Sequence, residues 1–442
     1  MRRGSIAVLV AVLLAAGGPA RGAESERSTG AVVAATLDNG LRVLLLEDRR
    51  SPIVTVQTWY RVGSRNEVRG ATGLAHFLEH LMFRGTPRYG SGLFARLVER
   101  NGGRYNAFTS RDVTSYYVNL AADRLGLVLE LEADRMQNLL LDPTIIASER
   151  QVVIEERRTR TEDDPGGALG EEVSATAFRA HPYGQPIIGW PTDLARITAE
   201  EIGAFYRAYY VPNNALLVVV GDFEAGEALG KVKAAFGPIP RGADPPPVLA
   251  VEPPQNSERR VTVRRPAELP IVYLGYPVPN QESADAAALE VLSVVLSGGR
   301  ASRLYRDLVH ERRLALEAGG DYSYFSIDPN LFWFWATPLP GQRAEMLEKE
   351  LLGHMERLAR EPVSEVELTR AKNQIEASFV FQDDSIHRRA SLLARFELIG
   401  GYALKDRYLA SIRAVSAADL QRVAGAYFQD DKKNVGILLP KP

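Results

Sequence analysis

The stretch from Gly73 to Phe83 holds three side chains whose spacing could support metal chemistry. His76 and His80 lie four residues apart, so both imidazoles project from nearly the same face of a helix. Glu79 directly precedes His80 on the same turn. The other sides of the turn are apolar, which predicts a buried helix, and are formed by Leu74, Phe77, Leu78 and Leu81.

A metal ion is the simplest reason for two imidazoles and a carboxylate on a buried helix, because an unpaired carboxylate is costly to bury. In the order His-x-x-Glu-His, two histidines bind zinc and the glutamate acts on a water molecule. The alternative is a pair of core histidines that form only hydrogen bonds. The sequence therefore predicts a zinc site with two ligands on this helix.

A second helix, predicted to begin near Pro143, carries two candidate carboxylates. Glu149 and Glu156 fall on the apolar stripe that contains Ile145 and Val152. The arginines of this helix are predicted to point mostly elsewhere: Arg150, Arg157, Arg158 and Arg160. The alternative is that the glutamates pair with arginines of a neighbouring element. A catalytic zinc needs three protein ligands and an open position, so we expect this helix to supply the missing ligand.

The composition describes a soluble globular protein and limits the possible ligands. The 442 residues carry a net charge of −2, with 45% hydrophobic and 24% charged residues. This length allows two or three domains, and the near-neutral charge does not indicate a nucleic-acid or anionic-membrane partner. Cysteine is absent. Disulfides, thiolate ligands and a lipid-anchored cysteine are therefore excluded, and a metal must use His, Asp or Glu.

The N-terminal residues have the pattern of a secretory signal peptide. A charged segment over 1–3 precedes an apolar segment over 6–16, and Ala20 and Gly22 offer small side chains at a cleavage site. The apolar segment is too short to span a bilayer. We predict cleavage after Gly22 and a periplasmic or secreted mature protein.

An internal sequence repeat indicates that the chain consists of two duplicated units. The segment from Val415 to Leu439 repeats the pattern from Ile197 to Val219 at an offset of 218 residues. We predict an α+β fold of two duplicated units, each a mostly antiparallel sheet flanked by helices. The predicted divisions are a signal peptide over 1–22, a zinc-bearing unit over 23–240, a Pro-rich linker over 241–258 and a second unit without a metal site over 259–442.

Local patterns predict several elements around the histidine helix. Asn39-Gly40 predicts a hairpin turn, and 53–60, 105–110 and 114–120 predict strands. The segment 322–337 also has a strand-like pattern. Three histidines outside the motif stand singly on polar helices and are expected to be surface or capping residues: His310, His354 and His387.

These residues together resemble a known family. His76-Phe77-Leu78-Glu79-His80, with Glu156 lying 76 positions beyond His80, resembles the inverzincin peptidases of the pitrilysin and insulinase group. The likeness is greatest to the short-chain branch that includes the beta subunit of mitochondrial processing peptidase. Glu149-Arg150 and the segment Asn106-Ala107-Phe108-Thr109-Ser110 are similar to further family segments. The resemblance covers nearly all of the mature chain.

The resemblance implies a role for each site residue. By it, one Zn²⁺ per chain is bound by His76, His80 and Glu156, and Glu79 is the general base. Glu149 would be the carboxylate that orients a ligand. An extended peptide would be held by strand addition at Asn106, Ala107 and Phe108. Without the resemblance, Asn106 would be read as a plain turn or edge residue.

The chain departs from the family in its second unit. Family members with a complete site carry there an Arg and a Tyr, seven residues apart, that help to bind substrate. Val309 and Leu316 occupy these places, and neither side chain can donate a hydrogen bond. The resemblance therefore implies a heterodimer in which a homologous subunit supplies the Arg/Tyr pair.

Three functional hypotheses follow. The first is an exported zinc endopeptidase acting on short or unfolded peptides. The second is a non-catalytic assembly subunit, as this fold supplies in respiratory core proteins, although such a subunit has no physical need for a complete ligand set. The third is a binding protein with structural zinc, which would need a fourth protein ligand. The same ligands could also hold Co²⁺ or Mn²⁺.

Overall fold

The computed structural model describes residues 30–441, so the predicted signal peptide over 1–22 lies outside the described residues. The strands are β1 Val33–Thr36, β2 Arg42–Glu47, β3 Ile53–Tyr60, β4 Arg104–Thr109, β5 Thr114–Ala121, β6 Ala215–Gly221, β7 Arg259–Pro266, β8 Ile271–Val278, β9 Ala315–Asp321, β10 Asn330–Pro338 and β11 Asn434–Lys441. Two wider, π-helical turns cover Arg158–Glu162 and Tyr305–Glu311.

The helices are α1 Leu74–Leu81, α2 Leu93–Arg100, α3 Leu125–Gln137, α4 Pro143–Arg157, α5 Pro165–Ala177, α6 Pro191–Leu194, α7 Ala199–Tyr209, α8 Ala225–Phe236, α9 Ala286–Ser297, α10 Ala344–Arg360, α11 Glu365–Val380, α12 Ile386–Leu398, α13 Leu404–Ala414 and α14 Ala417–Tyr427. Within 30–441, none of the helices has the length and apolar character needed to cross a bilayer.

The first sheet has the strand order β1-β2-β6-β3-β5-β4. Only β2 and β6 run parallel, and the other pairs are antiparallel. The predicted hairpin at Asn39-Gly40 is confirmed, since β1 and β2 pair directly across it. The Asn39 amide donates to the carbonyls of Phe236 (2.8 Å) and Ile239 (2.9 Å), which ties the turn to the end of α8.

The second sheet repeats this topology. Its order is β7-β11-β8-β10-β9, and its one parallel pair, β7 with β11, takes the place of β2 with β6. The echoed segments match in detail, because α7 and α14 each begin with a capping box and each leads into the central parallel strand. The prediction of two duplicated α+β units with mostly antiparallel sheets is therefore confirmed.

The prediction for 322–337 was partly wrong. Only Asn330–Pro338 forms a strand in this region, and Ala315–Asp321, which the pattern did not indicate, forms the edge strand β9. Gly319 and Gly320 weaken the local strand signal of β9. Tertiary contact requires them, however, because a Cβ on Gly319 would overlap the ring of Trp335 on the neighbouring strand.

Each unit contributes one helix that covers the sheet of the other unit. Helix α5 from the first half packs Leu169 and Val173 against Leu438 of β11, and a Cβ on Gly436 would overlap Val173. Helix α12 from the second half packs on the outer face of β2, β3 and β6 through Ala390, Leu393 and Ala394. The two sheets are therefore covered reciprocally.

Polar contacts also connect the two units. The Asp48 carboxylate, on a side chain that is 1% exposed, lies 2.6 Å from the Arg389 guanidinium of α12. Asp328, in the loop before β10, lies 2.8 Å from Arg65, and its backbone N–H donates to the Tyr183 hydroxyl (3.1 Å). These contacts join segments far apart in sequence, so they fix the position of one unit against the other.

We expect Asp48→Asn to destabilise the protein by up to about 3–5 kcal/mol at neutral pH, because it leaves the buried Arg389 with only its longer contact to the exposed Asp383 (3.4 Å). Hydrogen bonds from Arg50 and Arg389, opposed by burial, lower the pKa of Asp48 from 3.8 to about 2. The stabilisation from this carboxylate is thus complete above the unfolded value and is lost as the pH falls through about 2.

Urea unfolding midpoints at several pH values check this prediction. The variant should lose stability at neutral pH and show a smaller loss on acidification than the wild type. Asp123→Asn is the control, because Asp123 and its partner Arg124 are both well exposed. A variant as stable as this control would contradict a structural role for the Asp48 pair.

Candidate metal centre

Helix α1 is held in place at its N-terminus. Gly73 adopts φ +88°, and a Cβ there would lie 2.6 Å from the Ile188 carbonyl oxygen, so the position requires glycine. The Glu67 carboxylate accepts hydrogen bonds from the backbone N–H groups of Gly73 (2.8 Å) and Ala75 (2.7 Å). Burial raises the pKa of Glu67 to about 8 against these hydrogen bonds. The start of the histidine helix is therefore fixed.

Arginines fix helix α4 to the same region. Arg150 donates to the carbonyls of Leu194 and Ile197, and Arg157 forms a bidentate pair with Glu171 at 2.8 Å. These two arginines point away from the candidate carboxylates, as predicted. The prediction was wrong for Arg160, whose Nη1 lies 2.8 Å from Oε1 of Glu156.

The structure brings the three predicted ligands together. Oε2 of Glu156 lies 3.1 Å from Nε2 of His80 and 3.7 Å from Nε2 of His76. One ligand atom from each of the three residues lies within 4.8 Å of the others, and in residues 30–441 this is the one group of three or more such side chains so placed. Ligands around a tetrahedral zinc lie about 3.4 Å apart, so the group fits one ion with small side-chain adjustments.

His76 supplies an independent test of this fit. Its Nδ1 is buried without a hydrogen-bond partner among the described residues, and its Nε2 is too far from Glu156 for a hydrogen bond. Burial and the neighbouring His80 lower the pKa of His76 and favour the neutral imidazole, which is the ligating form. A metal ion held between His76 and Glu156 would give Nε2 the partner that it lacks in the described part of the protein, while Nδ1 is not the nitrogen that faces Glu156.

Glu149 orients His80. Its Oε1 lies 2.9 Å from Nδ1 of His80, and its Oε2 lies 2.5 Å from Nε of Arg84. Burial acts to raise the pKa of Glu149, but the hydrogen bonds from His80 and Arg84 outweigh it and lower the pKa. With Nδ1 engaged, the His80 ring presents Nε2 toward Glu156, as the histidine–carboxylate pairs around metals do.

Glu79 lies beside the three ligands in a cavity of 580 Å³. Its Oε2 accepts a hydrogen bond of 2.5 Å from the Thr109 hydroxyl. Burial raises the pKa of Glu79, and the Thr109 hydrogen bond opposes the rise. The group can therefore exchange a proton with a water molecule in the cavity.

Strand β4 forms another wall of this cavity. It is the edge of the first sheet and, within the described range 30–441, pairs only with β5, so one side of its backbone has no strand partner there. Asn106, Ala107 and Phe108 all line the cavity with Thr109. The Asn106 side chain accepts a hydrogen bond from the Ala107 N–H (2.9 Å) and is exposed.

The second-unit positions lie elsewhere. Val309 is in the π-helical turn Tyr305–Glu311 and packs against the second core, and Leu316 is on β9 with 58% of its surface exposed. Neither lines the 580 Å³ cavity. Among the single histidines, His310 is exposed as expected, but His354 is buried, with its Nε2 2.8 Å from Asp307.

The sequence prediction did not identify four residues that shape the site. Glu67 lies six residues before Gly73, and Thr109 lies in the segment that is similar to the family, but no periodic pattern predicts their contacts with the start of α1 and with Glu79. Arg84 and Arg160 each lie four residues after a site residue, His80 and Glu156, so helical spacing could have indicated them.

The chain is similar to known protein families and to individual zinc proteases. Residues 42–190 match the family described as "Insulinase (Peptidase family M16)", and residues 196–375 match "Peptidase M16 inactive domain". The chain is 35% identical over 410 residues to the zinc protease PqqE of Helicobacter pylori, covering 92% of each protein. It is 30% identical to an uncharacterised zinc protease of Streptomyces coelicolor, covering 91% of this chain and 88% of the relative.

Solved structures show the same fold. The crystal structure of a protease from Helicobacter pylori superposes with a TM-score of 0.90 at 34% identity, over 93% of this chain and 100% of the other. The first half of the periplasmic protease PqqL from Escherichia coli gives a TM-score of 0.75 at 18% identity, over 93% and 92%. The second likeness is one of fold alone.

We expect Glu149→Gln to weaken zinc binding about 10- to 100-fold, because an amide holds the His80 ring less well than a carboxylate. Competition with a chromophoric chelator measures this affinity. Glu155→Gln is the matched control, since Glu155 lies on the exposed side of the same helix and pairs with Arg158. Equal affinities for the two variants would remove the orienting role from Glu149.

Proposed function

The chain belongs to the insulinase family of peptidases, M16, and on that premise we propose that it is an exported zinc-dependent endopeptidase that hydrolyses peptide bonds in short or unfolded peptides. One observation carries the proposal. Ligand atoms of His76, His80 and Glu156 come within 4.8 Å of one another beside a fourth group, Glu79, in one cavity.

The proposed chemistry assigns one task to each side chain. His76, His80 and Glu156 would hold the ion, and no fourth protein ligand lies with them among residues 30–441. Zinc bound there would lower the pKa of a water molecule and polarise the peptide carbonyl. Glu79, oriented by Thr109, takes the proton from the attacking water and returns it to the leaving amine.

The substrate is proposed to bind as an added strand. The free side of β4 at Asn106, Ala107 and Phe108 can pair with the backbone of an extended peptide, which depends little on sequence. A folded protein does not present its backbone in this way, so short or unfolded chains are favoured. Export to the periplasm or outside the cell is supported by the signal-peptide pattern of residues 1–22.

We expect Glu79→Gln to lower peptide hydrolysis about 10²- to 10⁴-fold while about one zinc per chain is retained, because the variant loses the proton acceptor but no ligand. Fluorogenic peptides and metal analysis provide the two measurements. Glu99→Gln, an exposed change on α2, serves as control. A fully active Glu79→Gln variant would refute the assigned base, and a chain without bound zinc would refute the metal centre.

The partner is proposed to be a homologous subunit that supplies an Arg/Tyr pair. Val309 and Leu316 cannot donate the hydrogen bonds of such a pair, and they lie outside the cavity. We therefore expect the purified chain to bind zinc but to cleave model peptides slowly, with the rate rising on addition of the partner. Rapid cleavage by the single chain, measured with the same fluorogenic peptides, would contradict the need for a partner.

A further inference from the structure

Arg160 contributes a positive charge to the wall of the site cavity. Its side chain is 71% exposed, and its pair with Glu156 at 2.8 Å engages only part of the guanidinium. The other titratable side chains that line this cavity in the described part of the chain are His76, Glu79, His80, Glu156 and Glu171. Glu171 is already neutralised by its bidentate pair with Arg157.

The backbone around Arg160 is fixed. The residue lies in the π-helical turn Arg158–Glu162, a type of turn that is frequent at functional sites. A Cβ on Gly167 of α5 would overlap the Arg160 carbonyl oxygen, so α5 packs directly on this turn. Thr161 is buried. The backbone position of Arg160 on the rim is therefore set by packing.

The same turn directs a second arginine away from the cavity. Arg158 pairs with Glu155 at 2.6 Å and with Asp163 at 2.5 Å, all three being well exposed. Arg158 and Arg160 thus share a turn and a charge but face different partners. This difference provides a matched control within the chain.

A bound divalent ion changes the charge balance at the rim. The two positive charges of the ion offset the carboxylates of Glu79 and Glu156. Glu156 then binds the ion and also pairs with Arg160. The positive charge of Arg160 is left without a full counter-charge. An exposed guanidinium in this state presents a fork of N–H donors suited to a carboxylate.

We propose that Arg160 binds a carboxylate of the peptide substrate close to the bond that is cleaved, so that the enzyme favours peptides with an acidic side chain or a free C-terminal carboxylate at this place. The inference rests on the proposed function, because it needs a peptide along β4. Side chains of an extended strand alternate in direction, so a peptide on β4 can turn one side chain toward the rim.

Peptide binding to the zinc-loaded Glu79→Gln chain tests the proposal without hydrolysis. Fluorescence anisotropy compares three labelled peptides: one with Glu and an amidated end, its Gln counterpart with an amidated end, and the Gln peptide with a free carboxylate. We expect about tenfold tighter binding of at least one carboxylate peptide than of the amidated Gln peptide. The first and third peptides distinguish a side chain from a C-terminus.

Variants of Arg158 and Arg160 test which of the two arginines binds the carboxylate. Adding Arg160→Gln should abolish the tenfold preference, Arg160→Lys should keep part of it, and Arg158→Gln should leave it intact. Zinc affinity, measured by chelator competition, should stay within about threefold in all of them. A preference that survives Arg160→Gln overturns the inference, as does a loss of zinc affinity in that variant, since Arg160 would then serve only to hold Glu156.

The remaining outcomes separate this inference from the proposed function. Peptides that bind equally well with and without a carboxylate overturn the role of Arg160 and leave the peptidase proposal standing. A zinc-loaded chain that binds none of the three peptides overturns the role of Arg160 but not the peptidase proposal, because the partner subunit is proposed to help bind substrate.

Discussion

The site depends on one constraint: two helices that are far apart in sequence must bring imidazoles and carboxylates within about 3 Å of each other in a largely buried space. Burying charged or polar groups of this kind in the low-dielectric interior costs free energy unless each has a partner. The partners here come in pairs, with Glu149 on one nitrogen of His80 and Glu156 on the other. Among residues 30–441, Nδ1 of His76 has no such partner and its Nε2 lies 3.7 Å from Glu156, which makes His76 the residue that most requires an ion.

The surrounding structure can be understood as support for that constraint. Glu67 fixes the first turn of α1, while Arg150 and Arg157 fix α4 by donating to backbone carbonyls around α6. A backbone carbonyl cannot move far without moving its segment, so these hydrogen bonds fix the positions of the helices and not only those of their side chains. Thr109 then connects the edge strand to Glu79, so one hydrogen bond joins the proposed peptide-binding strand to the proposed proton acceptor.

The sequence predicted much of this, for identifiable reasons. Helical spacing is a local property, so His76, Glu79 and His80 could be placed on one helix, and the repeat at 218 residues gave the duplicated fold. Strand β9 was missed because its glycines depend on Trp335, a contact across the sheet. Thr109 and Glu67 were missed because they reach the site only after folding.

The exchange of α5 and α12 between the two units determines whether the chain can be cut into two independent fragments. Each helix covers the outer face of a sheet built from the other half, with Ala390, Leu393 and Ala394 on one side and Leu169 and Val173 on the other. A break in the extended segment before β7 would leave either fragment with a bare hydrophobic sheet. The two halves are therefore interdependent during biosynthesis: neither can cover the outer face of its own sheet until the whole polypeptide has been made, so they would behave as one cooperative folding unit.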